Sequence, residues 1–159
     1  MTTDTAYLVR EATTGDVAAM LDLFPRLASF DLPPARVPEH LWIHDEKLLK
    51  SWALGNEDSC LVHVAVDADG NLLGLVMTTL RPELLSHAPS AHLEAIVVSE
   101  DAQGKGIGGA LVEATEAAAK ARGALSITLH VFERNKRARK IYARAGYEEE
   151  LIRCTKKLT

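Results

Sequence analysis

The sequence predicts one α/β domain in which helices pack on a mixed, mostly antiparallel central sheet. Three observations support this fold class. The chain has 159 residues, 47% of them hydrophobic, which suits a single core. Apolar residues recur with helical spacing near both ends of the chain, and three strand-like runs follow one another in its middle. The predicted order is β-α-α-β-β-β-α-β-α-β, and we expect residues 1–159 to form one domain.

The first strand and helix are predicted from residues 7–28. The segment "YLVR" is typical of a strand, and Thr13 or Thr14 followed by Asp16 is typical of a helix cap. Pro25 should kink this helix or help to end it. The apolar residues that recur with helical spacing are Val17, Met20, Leu21, Phe24 and Leu27.

The next part of the chain changes from irregular to strand-forming. Residues 31–44 carry three of the six prolines, which predicts an irregular segment, and residues 45–54 can form a short second helix. Three strands are then predicted over residues 60–66, 71–80 and 91–98. The first two flank an Asp-Gly turn, which is typical of a hairpin.

The last third alternates between helix and strand. A third helix is predicted over residues 107–121, a strand over 124–132, a fourth helix over 136–145 and a final strand near 148–158. Glycine at position 146 should stop the fourth helix. In the third helix, the residues spaced along one face are Ile107, Leu111, Ala114, Ala118 and Ala121.

Charge and composition exclude several classes of function. The net charge is −4 with no long basic run, so we expect no nucleic acid partner. The two cysteines, Cys60 and Cys154, do not indicate a disulfide framework and are expected to be small apolar side chains. His40 and His44 lack a third metal ligand, so no metal is expected. With no signal-like segment and no run of eighteen apolar residues, we expect a cytoplasmic protein without membrane contact.

The segment "QGKGIGG", residues 103–109, contains four glycines between a predicted strand and a predicted helix. Backbone N–H groups at a helix N-terminus bind phosphate, and glycine lets an anion approach without meeting a Cβ. Gly104, Gly106 and Gly109 also satisfy the dinucleotide pattern G-x-G-x-x-G, with Glu133 as a ribose-binding acid. That alternative ranks lower, because five residues separate Val98 from Gly104 and too little parallel sheet is predicted.

Two motifs resemble those of the GNAT superfamily of acyl-CoA-dependent N-acetyltransferases. "VVSEDAQGKGIGGALVEATEAAAKARG" resembles its acyl-CoA motif, Gln/Arg-x-x-Gly-x-Gly/Ala, in which Gln103, Gly106 and Gly108 fill the defined positions. "NKRARKIYARAGY" resembles its second motif, which is filled by Asn135, Ala138, Tyr142, Gly146 and Tyr147. The resemblance covers residues 60–150 well. It implies a GNAT-like domain and acetyl-CoA as co-substrate.

The resemblance also implies which residues contact acetyl-CoA. Its phosphates would lie on the glycine loop, its pantetheine arm beside the strand that ends at Val98, and its sulfur near Tyr142. The backbone N–H of Val98 could also hold the developing oxyanion. The expected set is Ile96, Val97, Val98, Gln103, Gly104, Lys105, Gly106, Ile107, Gly108, Gly109, Asn135 and Tyr142. For Lys105 a solvated loop lysine, and for Asn135 a helix N-cap, are equally good interpretations.

Two residues are candidates for moving protons. Glu94 stands on the predicted strand where several members of the family keep a base, and we expect it to share a pleat face with Ile96 and Val98. A strand carboxylate that faces solvent or a neighbouring arginine is an equal alternative, and His92, His130 and Glu133 are weaker substitutes. Tyr142 matches the tyrosine that protonates the leaving thiolate in the family, with core packing as its alternative.

The sequence therefore predicts transfer of an acetyl group from acetyl-CoA to a primary amine by direct attack. Two alternatives stay open, a dinucleotide-dependent oxidoreductase and a non-catalytic acyl-CoA-binding sensor. The acceptor is expected to be a small-molecule amine or an amine of a protein, and a homodimer is left open. Residues that could line the acceptor pocket are Arg36, Glu39, His40, Trp42 and His44.

Overall fold

Five strands form one sheet in a computed structural model that describes residues 6–159. They are β1 (Tyr7–Glu11), β2 (Cys60–Asp67), β3 (Leu72–Pro82), β4 (Pro89–Val98) and β5 (Ile127–Leu129). They lie side by side in chain order. Adjacent strands from β1 to β4 are antiparallel to one another, and β5 is parallel to β4. The predicted mixed, mostly antiparallel sheet is confirmed.

Four α-helices cover the two faces of this sheet. They are α1 (Val17–Leu23), α2 (Ile43–Ala53), α3 (Ile107–Ala121) and α4 (Lys136–Arg144). The α1/α2 face buries Met20, Phe24 and Leu49 with alternate residues of the strands. The α3/α4 face buries a second cluster that includes Leu111 and Tyr142. Each face of the sheet therefore has its own hydrophobic cluster.

The N-terminal caps follow the prediction closely. Asp16 accepts hydrogen bonds from the Thr13 backbone N–H and from two guanidinium nitrogens of Arg10, which also holds the pKa of Asp16 below its usual value. Helix α1 ends at Leu23, and the chain continues as a 3-10 helix over Phe24–Ala28 that contains Pro25. The predicted irregular segment 31–44 contains one 3-10 turn, Pro38–Leu41.

The buried stripe of α3 differs from the one predicted. It consists of Ile107, Leu111, Val112, Thr115 and Ala119, whereas Ala121 is exposed. Thr115 can be buried because its hydroxyl donates a 2.7 Å hydrogen bond to the Thr78 hydroxyl of β3. Hydrophobic periodicity misses this face because the partner that satisfies Thr115 lies 37 residues away.

The C-terminal strands also differ from the prediction. Of residues 124–132, only Ile127–Leu129 pair with β4, and the predicted final strand is absent among residues 148–158. Leu151 and Ile152 are adjacent, so in a strand they would point to opposite faces and give neither face an apolar row. Both side chains are exposed, so the segment buries no apolar row that would hold it against the sheet.

Candidate active site

A β-bulge in the middle of β4 sets the geometry of the site. Met77 pairs with Ala95 and Thr78 pairs with Leu93, so Glu94 has no residue opposite it on β3. An extra residue on one strand reverses the alternation of side chains beyond it. Glu94 is therefore the residue at which β4 changes its side-chain register.

The bulge places Glu94 on the α1/α2 face of the sheet. Its Oε1 accepts a 2.6 Å hydrogen bond from Thr79 Oγ1 and lies 3.7 Å from Nη1 of Arg81. The prediction that Glu94 shares a pleat face with Ile96 and Val98 is wrong, because those two side chains pack in the α3/α4 cluster. The Glu94 side chain is 11% exposed and lies beside Arg81, so the alternative interpretation fits as a carboxylate that faces an arginine and not as one that faces solvent.

Strands β4 and β5 separate at the bulge. Their parallel pairing ends at Leu93 and Leu129, whereas β4 continues for five more residues. The Ser99 N–H donates a 2.8 Å hydrogen bond to the Leu73 carbonyl of the β3 side. Because backbone groups alternate along an antiparallel pair, those of residue 97 also face β3 and those of residues 96 and 98 face the gap.

This alternation tests the predicted pantetheine strand. Ile96 and Val98 present backbone groups to the gap, as the pairing of an extended ligand requires. Val97 does not, since its backbone faces β3 and its side chain lies in the α1/α2 cluster. Val97, which is predicted to contact acetyl-CoA, therefore offers neither a free backbone group nor its side chain on the side of the gap.

Arg26 reaches the gap from the 3-10 helix that follows α1. Its Nε donates a 2.9 Å hydrogen bond to the carbonyl oxygen of Val98, and its Nη1 lies 3.8 Å from Glu100. The Val98 carbonyl therefore already has one hydrogen-bond donor, whereas the Val98 N–H that faces the gap is available. Sequence analysis missed Arg26, because nothing local marks a partner 72 residues away.

The glycine loop presents free backbone N–H groups at the start of α3. Gly104 and Gly106 have φ angles of 79° and 78°, a conformation that favours glycine, and Gly106 is the N-cap of α3. The first backbone bond of α3 in this region runs from the Ala110 N–H to the Gly106 carbonyl, so the preceding N–H groups point out of the helix end. The loop therefore offers donors and the positive end of a helix dipole together.

Side chains around the loop add further polar groups. Gln103 accepts a hydrogen bond from Arg137 Nη1 of α4. A Cβ built on Gly106 would lie 3.9 Å from the Tyr7 hydroxyl, so this tyrosine of β1 also stands beside the loop. Lys105 is exposed. Tyr7 and Arg137 are absent from the predicted set because they come from elements distant in sequence.

Tyr142 lies on the opposite face of the sheet from Glu94. It is buried in the α3/α4 cluster together with Leu93 and Ile107. Burial raises the pKa of Tyr142 to about 12, so the phenol keeps its proton at neutral pH. Asn135 caps α4, with its side-chain oxygen accepting a 3.3 Å hydrogen bond from the Ala138 N–H, as one of its two interpretations predicts.

Further polar residues surround Glu94. Asp45 of α2 is only 7% exposed, and its burial together with the charge of Glu94 raises its pKa to about 7. A polar atom of His44 lies within 4.8 Å of both carboxylates. The sequence indicated His44 as a pocket candidate but did not indicate Asp45. An acidic residue in the first turn of a helix is common, so Asp45 carries no distinguishing signal in the sequence.

The two weaker histidine candidates lie together near the start of the gap. Their rings are 4.8 Å apart, and His92 Nδ1 is 2.8 Å from the Thr128 hydroxyl. Burial first, and then the charge of Arg81, lower the pKa of His92 to about 4 despite the opposing effect of Glu94. The His92 ring is therefore uncharged at neutral pH, and it can still form hydrogen bonds.

Several other candidates lie outside this cluster. Glu133 is exposed and lies 3.8 Å from Arg139, and Glu39 and His40 are exposed. The thiol of Cys60 is buried, and burial raises its pKa to about 12, so it is not a thiolate at neutral pH. Among residues 6–159, no helix is both long and apolar enough to cross a membrane.

Comparison with known proteins agrees with this geometry. The Acetyltransferase (GNAT) family matches residues 17–147, and the chain belongs to that family. It is an acetyltransferase that uses acetyl-CoA as co-substrate.

Individual relatives span almost the whole chain. YhfO of Bacillus subtilis (strain 168), an uncharacterized N-acetyltransferase, is 30% identical over 149 residues, which covers 89% of this chain and 90% of the relative. A Pyrococcus furiosus protein, provisionally described as an acetyl transferase, is 26% identical with a TM-score of 0.77 and covers 96% of this chain and 100% of its own. A ribosomal-protein-alanine N-acetyltransferase of Brucella melitensis shares the fold, with 22% identity, a TM-score of 0.70 and coverage of 96% and 100%.

Proposed function

We propose that this acetyltransferase acetylates a primary amine by direct attack on the thioester, without an acetylated enzyme. One observation carries the proposal. Glu94 and Tyr142 lie on opposite faces of the sheet, beside the gap that opens where β4 and β5 separate. An acceptor can enter from the α1/α2 face while the sulfur of the co-substrate meets the α4 side.

The residues present suit this chemistry. The N–H groups of residues 104–109 can hold the phosphates, and the gap-facing backbone groups of Ile96 and Val98 can pair with the pantetheine arm. The Val98 N–H can stabilise the negative charge that develops on the thioester oxygen. Acetyl-CoA supplies the activated acetyl group, and everything else required is positioning and proton transfer by this chain.

Two proton transfers complete the reaction. Glu94 accepts a proton from the amine, directly or through water, so that the nitrogen can form the C–N bond. As the C–S bond breaks, the Tyr142 hydroxyl donates a proton to the departing thiolate. The phenol is suited to this role because its pKa of about 12 keeps it protonated until negative charge builds on sulfur.

A panel of primary amines, followed by thiol release and by mass spectrometry of the product, tests the proposal. We expect an N-acetylated product and initial-rate patterns of a sequential mechanism. Labelled acetyl-CoA incubated without an amine should leave the protein unlabelled. A stoichiometric acetyl-enzyme would contradict direct attack, and tight acetyl-CoA binding without turnover of any amine would favour the acyl-CoA sensor.

A further inference from the structure

Asp45 is a buried carboxylate that has no hydrogen-bond or ion-pair partner among residues 6–159. It stands in the first turn of α2 and is 7% exposed. Among residues 6–159, no hydrogen bond or ion pair reaches its side-chain oxygens, in contrast to Asp16, which binds Arg10 and Thr13. Burying a charge without a partner is costly, so a carboxylate in this position needs an explanation beyond packing.

The groups that face Asp45 leave it short of positive charge. A Glu94 oxygen and a His44 nitrogen lie within 4.8 Å of an Asp45 oxygen. Arg81 Nη1 lies 3.7 Å from Oε1 of Glu94, and the Arg81 side chain is about half exposed. Burial first, and then the charges of nearby carboxylates including Asp45, raise the pKa of the Cys60 thiol of β2. Among residues 6–159, an ion pair therefore reaches Glu94 but none reaches Asp45.

We propose that Asp45 and Glu94 together receive the acceptor as the ammonium ion of a strongly basic primary amine. This proposal rests on the function proposed above and names the substrate class for the same site. An ammonium group donates three hydrogen bonds in different directions, and charged N–H···O bonds are about 2.8 Å long. Two oxygens up to 4.8 Å apart can both bind one nitrogen placed between them.

The position of the pair relative to the gap also favours an amine. Glu94 lies at the bulge, one residue past the last β4 residue that pairs with β5. An ammonium held there is next to the place where the thioester is expected. One carboxylate takes a proton from the ammonium, the free amine forms the new C–N bond, and the other carboxylate keeps the nitrogen in place. The charge balance is that of an ammonium and a carboxylate becoming an amine and a carboxylic acid.

A divalent metal ion is the competing occupant, since one histidine and two carboxylates are common metal ligands. The amine is favoured because His44 is exposed and because an acceptor must reach Glu94 for the reaction to proceed. The two occupants make different predictions. A metal would bind in the absence of any amine, whereas an amine site has no need of one.

Calorimetry on the full-length protein saturated with coenzyme A tests the proposal directly. Ethylamine, cadaverine and spermidine are titrated separately into the parent, into Asp45→Asn and into Asp22→Asn, which neutralises an exposed acid of α1. We expect at least one amine to bind the parent ten-fold or more tightly than Asp45→Asn, with Asp22→Asn unchanged. If no amine shows this dependence on Asp45, the proposal is overturned.

Two further measurements separate the remaining explanations. Without amine at pH 8, Asp45→Asn should have a higher melting temperature than the parent, whereas a lower one would reveal a structural role and overturn the proposal. Zinc chloride titrated alone should bind no more tightly to the parent than to Asp45→Asn. Zinc binding that depends on Asp45 and excludes amines would assign the site to a metal and also overturn the proposal.

Failure of this inference is distinguishable from failure of the proposed function. Turnover of amines that is equally fast in Asp45→Asn would remove the inference and leave the acetyltransferase reaction intact. Amine binding that depends on Asp45, without any acetylated product, would keep the inference and remove the proposed reaction. A pair of amines of similar size adds a further check. Ethylamine is charged at pH 7.5, whereas 2,2,2-trifluoroethylamine is mostly neutral, so Asp45→Asn should reduce the affinity for ethylamine more than the affinity for 2,2,2-trifluoroethylamine.

Discussion

Arg26 and Val98 are joined by a 2.9 Å hydrogen bond from the guanidinium Nε to the backbone carbonyl, across 72 residues of chain. The bond connects the segment after α1 to the strand that borders the gap. It also satisfies the one acceptor of Val98 and leaves the Val98 N–H available. The same contact therefore holds in place the end of β4 that borders the gap. It also positions the Val98 N–H, which is expected to stabilise the oxyanion.

Replacing Arg26 by glutamine should reduce kcat/KM more than it reduces stability. Loss of one charge-assisted hydrogen bond to a partly exposed carbonyl should lower the free energy of unfolding by about 1–2 kcal/mol. Displacement of Val98 should lower kcat/KM by roughly ten-fold or more, because small misplacements of reacting groups are costly. Urea unfolding and steady-state kinetics measure the two effects, with Arg153→Gln as an exposed control. An unchanged kcat/KM would show that the contact is only structural.

Substituting Gly106 by aspartate should abolish acetyl-CoA binding. A side chain at a φ of 78° is strained, and its negative charge would face the phosphates at the start of α3. Gly70→Asp is the matched control, since Gly70 has a φ of 83° in the turn between β2 and β3 and open space around it. Calorimetry with acetyl-CoA should show loss of binding only for Gly106→Asp. Equal affinities for the two variants would refute the loop assignment.

Substituting Tyr142 by phenylalanine separates catalysis from packing. The ring needed by the α3/α4 cluster is kept, so the melting temperature should stay near that of the parent. If the hydroxyl protonates the thiolate, kcat should fall, by roughly 10²-fold at most in this case, since a thiolate already leaves well. Affinity for acetyl-CoA should change little.

The control for Tyr142 is its neighbour in the same cluster. The Tyr147 ring lies 5.8 Å from that of Tyr142, and its buried hydroxyl has no hydrogen-bond partner among the described residues. Tyr147→Phe should therefore keep parental kcat. A Tyr142→Phe enzyme with parental kcat, measured where chemistry limits the rate, would leave Tyr142 as a packing residue.

Substituting Glu94 by glutamine should remove the base and keep the local structure. Glutamine can still accept the hydrogen bond from Thr79, so the bulge should persist. We expect kcat/KM to fall by roughly 10²–10⁴-fold and its acidic limb to flatten in the pH profile. Glu113→Gln, an exposed change on α3, is the control. A profile of unchanged shape would assign proton removal to another group.

The pKa of Asp45 makes a specific prediction about stability and pH. Burial and the charge of Glu94 raise it from 3.8 to about 7, so the folded protein keeps a proton that the unfolded chain releases between about pH 4 and 7. The free energy of unfolding should therefore fall as pH rises through that window and remain low above it.

Comparison of the parent with Asp45→Asn isolates this effect, because both chains keep Glu94, His44 and Arg81. The variant should gain stability relative to the parent between pH 5 and pH 8 by roughly 2–3 kcal/mol, at about 1.4 kcal/mol for each pKa unit. Urea unfolding at both pH values measures the difference. A gain that is the same at pH 5 and pH 8 would mean that Asp45 does not titrate in this range.

The parts of this protein that depend on neighbours in sequence were predictable. The glycine loop is defined by seven consecutive residues, and α4 carries its cap, its buried tyrosine and its terminating glycine within twelve positions. Helix and strand periodicities located all four helices and the first four strands. In each case the determining interactions are local, namely backbone conformation, capping and side-chain spacing.

The parts that depend on strand register and on contacts between elements were not predictable. One bulge decides which face Glu94 occupies, and single-residue slips reverse faces because strands have a period of two. Arg26 meets Val98, and Asp45 meets Glu94, only once the helices pack on the sheet. The sequence by itself thus determined the family motifs and the glycine loop at the start of α3. Tertiary structure alone decided which carboxylates are buried together beside the gap, because burial and charge pairing are properties of residues distant in the chain.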